Sequence, residues 1–135
     1  MEKSSKEVVR HYLDVLLAGD IEAIRDCFAE DAVWTMHADL PMAGPWKGRN
    51  AIVDDFLVHF GGTLYQQGSQ EFEFPTLIGE GETVSLEWRV RALTARGEDY
   101  DNSYCGIFIV RDGKIQEVRE YFDTAYAERT LFASS

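Results

Sequence analysis

The chain has 135 residues, of which 13 are Lys or Arg and 24 are Asp or Glu, a net charge of −11 at neutral pH. That length holds one domain, residues 1–135, with no room for a second core, and the acidic balance argues against partners held by their phosphates, so neither nucleic acid nor an anionic membrane surface is expected. With 45% hydrophobic and 13% aromatic residues the composition is that of a packed globule rather than a disordered chain. Ser4-x-x-Glu7 is a capping box, and behind it Val8, Val9, Tyr12, Leu13, Leu16 and Leu17 recur at helical spacing opposite Arg10, His11 and Asp14, which predicts an amphipathic first helix stopped by Gly19. Asp20 caps a second, shorter helix with Ile21, Ile24, Cys27 and Phe28 on its apolar face. Ala32 to Met36 reads as a short strand, and Pro41, Gly44 and Pro45 keep the loop from His37 to Lys47 irregular. A third helix starts near Asn50, buries Ile52, Val53, Phe56, Leu57 and Phe60, and ends at Gly61-Gly62.

From Gln70 to Phe122 the sequence alternates at period two between turn residues. Strands are predicted over 71–78, 84–93, 100–110 and 115–122, the last two joined through Asp112-Gly113, a two-residue hairpin signal. Asp123 precedes a final helical turn containing Tyr126, Leu131 and Phe132. Helices followed by a long antiparallel meander form an α+β order in which one sheet buries a face against the helices.

No run approaches the ~18 apolar residues of a membrane span, and the charged segment Met1 to Lys6 has no apolar signal region behind it, so a cytoplasmic protein is expected. Cys27 and Cys105 lie in apolar surroundings without a CxxC spacing and read as two buried free thiols. His11, His37 and His59 show no ligand spacing, so no metal is implied, and the phosphate-cradling and dinucleotide glycine motifs are missing, so no cofactor is implied.

Charges inside otherwise apolar strands are the informative anomaly, because an unpaired charge in a half-buried sheet is costly. Glu87, Arg89 and Arg91 share one face of their strand, Asn102 and Tyr104 one face of the next, and Val118, Glu120 and Phe122 one face of the last. If the three faces coincide, two carboxylates and a guanidinium converge beside a Tyr and an Asn. Otherwise Glu87, Arg89 and Glu120 form a cross-strand ion pair on a wet face. Asp123 reads either as a pocket acid or as a helix N-cap, and His59 either as a packing residue or as a proton carrier.

Three segments, YLDVLLAGDIEAIRDCFAEDAVW, GPWKGRNAIVDDF and YCGIFIVRDGKIQEVREYFD, resemble the nuclear transport factor 2-like superfamily, especially its SnoaL-like and limonene epoxide hydrolase branches. The resemblance implies a cone-shaped, curved antiparallel sheet closed by three N-terminal helices around an apolar pocket, with dimerisation through the sheet's outer face. That face would offer Trp88, Val90, Ile107 and Ile109 to a homodimer partner. It also implies a pocket carrying Leu13, Leu16, Trp34, Met36, Trp46, His59, Arg91, Asn102, Tyr104, Val118, Phe122 and Asp123, with Glu120, Arg89 and Glu87 as the chemical groups. The matching positions depart from the epoxide hydrolases: Trp34 and Met36 stand where a Tyr and an Asn help hold the attacking water, Glu87-x-Arg89 where an Arg-x-Asp pair sits, and Glu120 where the last strand carries an Asp.

Two functions follow as expectations. One is cofactor-free acid-base chemistry on a small apolar molecule, such as isomerisation, cyclisation, dehydration or epoxide opening, with Glu120 as the titrating group and Arg89 or Tyr104 stabilising negative charge. The other is a non-catalytic ligand-binding or partner-binding domain in which the charged residues form a structural network. Whether the pocket acid keeps a lone pair facing open volume, or is consumed by arginines, separates them.

Overall fold

A computed structural model describes residues 3–132; Met1 and Glu2, at the start of the charged segment, lie outside them. Helix α1 (Ser5–Ala18) begins at the capping box, with the Ser4 side chain accepting from Glu7 N–H and Glu7 reaching back to Ser4, and it ends at Gly19, whose φ of 71° is a left-handed conformation suited to glycine. Helix α2 (Ile21–Asp26) is capped by Asp20, which accepts from Ala23 N–H. Cys27 closes it, so Phe28 opens strand β1 (Phe28–Met36), which is longer than the sequence suggests, instead of completing the helix.

The two-residue strand β2 (Trp46–Lys47) turns back antiparallel onto β1. A π-helix, Ala51–Phe60, then runs without a break into α3 (Gly61–Leu64). Gly61 has helical angles, φ −59° and ψ −38°, so the glycine pair continues the helix where an end is expected. Asn50 makes no cap; its Oδ1 accepts from Arg25 Nη1 at 2.8 Å, while Arg25 also holds Asp54 in a two-pronged pair, tying α2 to the start of the π-helix.

Strands β3 (Glu71–Glu80), β4 (Thr83–Leu93), β5 (Asp99–Arg111) and β6 (Lys114–Phe122) form the expected antiparallel meander. The β5–β6 turn holds positive φ at Asp112 and Gly113, which closes a two-residue hairpin. The whole sheet has six strands in the order β2-β1-β6-β5-β4-β3, and β1 joins β6 in parallel, a pairing the local pattern does not announce. Register shifts within the β1–β6, β3–β4 and β5–β6 pairs bend this open sheet. Short α4 (Thr124–Ala127) and a π-helical turn, Glu128–Phe132, follow.

The core lies between the concave face of the sheet and the helices, with Val9, Phe28, Ile52, Val53, Leu86, Phe108 and Val118 among its buried members. No described helix is long and apolar enough to cross a membrane.

Candidate active site

Cross-strand partners share a face of the sheet, so register decides what looks inward. Leu86 stands opposite Gly106, Trp88 opposite Tyr104 and Val90 opposite Asn102; Gly106 in turn faces Glu120, and Tyr104 faces Phe122. In the parallel pair Met36 faces Glu120 and Trp34 faces Val118. The inner face of β4 is therefore the apolar stripe Val84, Leu86, Trp88, Val90 and Ala92. Together with Tyr12, Leu13 and Leu16 of α1, Phe56, Leu57 and Phe60 of the π-helix, and Tyr65, Phe72, Phe74 and Phe108, this face encloses a cavity of about 190 Å³. Ten of its twenty lining residues are aromatic, so rings face any occupant.

Glu120 is the acid of that cavity. It is 4% exposed, and Oε1 accepts from Trp34 Nε1 at 2.8 Å. That is its one hydrogen bond among the described residues, which leaves Oε2 without a protein partner at the cavity wall. Burial pushes the carboxyl up to about 7, a rise that the Trp34 hydrogen bond partly opposes. Gly106, directly across from Glu120, leaves room for the Trp88 indole: a Cβ there would stand 2.9 Å from Trp88 Cζ3 and 3.0 Å from Phe108 Cε1.

Beside the acid lies a cluster of tyrosine hydroxyls. Tyr104, which lines the cavity, is hydrogen-bonded to Tyr100, and Tyr65 joins both. Asn102 is oriented by two backbone groups, donating through Nδ2 to the Asp123 carbonyl at 3.2 Å and accepting at Oδ1 from Ser103 N–H at 2.9 Å. With its amide fixed, Nδ2 also donates to Tyr100 Oη at 2.9 Å, which leaves the Tyr100 proton for a neighbouring hydroxyl. Burial raises the ionisation of Tyr104 and Tyr65 far above the ordinary tyrosine range, so both stay neutral donors. Trp88 stacks on Tyr104 with centroids 5.4 Å apart and planes within 3°.

The charged constellation is corrected. Glu87, Arg89 and Arg91 lie on the outer face of β4, where Arg89 holds Asp101 at 2.6 and 2.7 Å and Arg91 holds Glu73 at 2.8 Å. Arg89 is thus no partner of Glu120, because one residue of parity puts them on opposite faces. The same parity turns Trp88 and Val90 inward, away from the outer face expected of them, and leaves Ile107 and Ile109 half-buried on that face. Asp123 is an N-cap, accepting from Tyr126 N–H at 3.0 Å. His59 is exposed on the π-helix and outside the cavity wall.

Of the remaining expected pocket residues, Leu13, Leu16, Trp34 and Tyr104 line the cavity. Met36 and Val118 are buried in the core behind it, Phe122 packs on Tyr104 at 5.0 Å, Asn102 acts through Tyr100, and Trp46 stacks on Phe56 while donating to the Met42 carbonyl. Tyr12, Tyr65 and Trp88 are among the lining residues that the sequence did not place in the pocket. Two of them carried a signal: Tyr12 shares the helical stripe of Leu13 and Leu16, and Trp88 shares the apolar parity of Leu86 and Val90.

Among the described residues no three His, Cys, Asp or Glu side chains are grouped where they would hold a metal ion. Burial raises the Cys27 thiol to about 11, and Sγ donates to the Ala23 carbonyl, so this cysteine is a packing residue. Cys105 is half-buried on the outer face, not fully buried.

The family model of the SnoaL-like domain matches residues 9–118. A nuclear transport factor 2-like protein from Burkholderia thailandensis superposes with a TM-score of 0.85 at 20% identity, covering 97% of this chain and 99% of its own. A protein from Jannaschia assigned as a SnoaL-like polyketide cyclase gives 0.78 at 16% identity over 100% and 99%. An epoxide hydrolase of the limonene type from Mycobacterium tuberculosis gives 0.73 at 20% identity over 94% and 88%. At these identities the solved structures establish the shared fold.

Proposed function

The chain belongs to the SnoaL-like domain family, and on that premise we propose that it is a cofactor-free enzyme that moves a proton on a small, mostly apolar carbonyl compound. The observation that carries this reading is Glu120: a buried carboxyl with its ionisation near 7, one oxygen held by Trp34 and the other turned to an aromatic cavity. A base is most effective when its pKa lies close to the working pH. Glu120 removes a proton from the carbon next to the carbonyl, and the electron pair moves onto the carbonyl oxygen. Tyr104, neutral and held by the tyrosine cluster, donates to that oxygen as its charge develops. In a β,γ-unsaturated carbonyl compound, protonated Glu120 returns the proton at the far carbon of the dienolate as the C=O re-forms, completing an isomerisation. Where a second carbonyl lies within reach, the enolate carbon attacks it to close a ring, and the alkoxide formed from its C=O bond takes the proton from Glu120.

Two observations weigh this reading against epoxide opening. The Trp34 N–H is committed to Glu120 and so cannot hold an attacking water, and no arginine stands among the lining residues.

The test is α-proton exchange of β-tetralone in deuterated water, followed by NMR. Wild-type protein should accelerate exchange, Glu120→Gln should abolish the acceleration, and Tyr104→Phe should reduce it by about 10²-fold or more, the scale of a lost oxyanion donor. If the ketone quenches tryptophan emission but exchanges no faster than in buffer, the ligand-binding reading replaces the catalytic one.

A further inference from the structure

Resting on the reading of Glu120 as the ionisable acid of the cavity, we propose that this cavity is a binding site for compact lipophilic ammonium ions: a few fused rings carrying one protonated amine, paired with Oε2 of Glu120. The argument begins with charge. No Lys, Arg or His lies among the lining residues, and Glu120 is the one acidic side chain there. The nearby guanidiniums, Arg89 and Arg91, are on the far side of the sheet and already hold Asp101 and Glu73. The groups facing Glu120 from the packed elements are Tyr12 of α1, Trp34 of β1, Tyr104 of β5 and the Tyr65 hydroxyl, all uncharged.

An anionic ligand would meet a buried carboxylate with no counter-charge. A neutral ligand leaves that carboxylate either uncompensated or protonated. A cation compensates it directly, at an oxygen that has no other hydrogen-bond partner among the described residues.

The walls favour the same ligand. An ammonium leaving water loses hydration, which a single ion pair offsets only with good geometry and further contacts. The ring faces of a largely aromatic cavity supply those contacts through their negative quadrupoles, best for Trp and Tyr, and Trp34, Trp88, Tyr12, Tyr65 and Tyr104 all line this one. The volume of about 190 Å³, below the ~300–1,000 Å³ of typical drug-sized sites, limits the ring system to a compact one.

Proton linkage makes the proposal specific. Near neutrality Glu120 is partly protonated, so an arriving ammonium displaces that proton, and binding strengthens as pH rises toward the amine's own pKa. A neutral ketone shows no such strengthening.

The experiment compares β-aminotetralin, β-tetralone and the corresponding tetralin carboxylate by quenching of tryptophan emission, a pH unit on either side of Glu120's midpoint of about 7. On the alkaline side the amine should bind about tenfold or more tighter than the ketone, and the carboxylate weakest. On the acid side amine affinity should fall by up to about tenfold per pH unit. Glu120→Gln should retain ketone binding, which reports that it is folded, and lose both the amine preference and its pH dependence. Calorimetry on the wild type in buffers of different ionisation heat should find about half a proton released per amine bound at the midpoint. An amine that binds no better than the ketone, a preference that survives Glu120→Gln, or binding without proton release would each overturn the proposal. The exchange assay with β-tetralone reads the catalytic function separately: exchange without an amine preference sinks the ammonium site alone, and an amine preference without exchange sinks the catalytic reading alone.

Discussion

Trp34 Nε1 donates to Glu120 Oε1 at 2.8 Å, joining two residues 86 positions apart through the parallel pairing of β1 with β6. The bond satisfies the indole donor and one carboxylate oxygen inside an apolar enclosure. It also favours the charged form of an acid that burial would otherwise push higher still.

Removing that donor should therefore move the acid limb of activity. In Trp34→Phe the ring remains but the hydrogen bond is lost, so Glu120 ionises at a higher pH and the rising limb of turnover shifts upward from about 7. A pH–rate profile checks this, and an unshifted limb would assign the limb to another group. Stability should fall by about 1–3 kcal/mol, since a buried oxygen loses its partner.

The folded-state pKa of Glu120 is raised above its value of 4.5 for an unburied Glu. Stability linked to this group is thus fully present below 4.5 and is lost as pH rises through about 7, because over that window the folded state holds a proton the unfolded state has released. The loss is on the order of 3 kcal/mol. Glu120→Gln should flatten that part of the profile, measured by urea denaturation at a series of pH values.

Gly106→Ala should damage the cavity without touching a titrating group. The new methyl meets Trp88 and Phe108 at 2.9–3.1 Å, and Trp88 must leave its stack on Tyr104. We expect about 1–3 kcal/mol of destabilisation from overpacking, a changed near-ultraviolet dichroism signal and weaker quenching by β-tetralone.

Arg89→Ala should leave ketone binding, exchange rate and pH profile as in wild type, because the guanidinium is spent on Asp101 on the outer face. A loss of activity comparable to that of Glu120→Gln would contradict the placement of this strand. Asp101→Ala provides the matching control.

Asp123→Ala should lower stability by about 1 kcal/mol through loss of the cap on α4. Its side chain faces the Tyr126 N–H, not the cavity, so ligand affinity should hold. Thermal denaturation with and without β-tetralone separates the two effects.

The features legible in the chain alone are local. The capping box at Ser4 and Glu7, the stop at Gly19, the cap at Asp20 and the Asp112-Gly113 hairpin each depend on groups a few residues apart, so the short-range pattern suffices. The alternation Val84, Leu86, Trp88, Val90, Ala92 holds the same kind of short-range signal, but the likeness to the epoxide hydrolases put Glu87, Arg89 and Arg91 in the pocket and Trp88 and Val90 on the outer face, and the folded sheet reverses both. The partners of the acid, by contrast, come from pairing across the sheet. Strand register is fixed by pairing across the sheet and by bulges such as those between Phe28 and Val33 and between Ile109 and Val110, and a shift of one residue reverses every side chain. That is why Glu120 could be singled out from its strand as a charge among apolar neighbours, while its donor on β1, the tyrosine cluster beside it and the absence of arginine from the described cavity wall required the folded sheet.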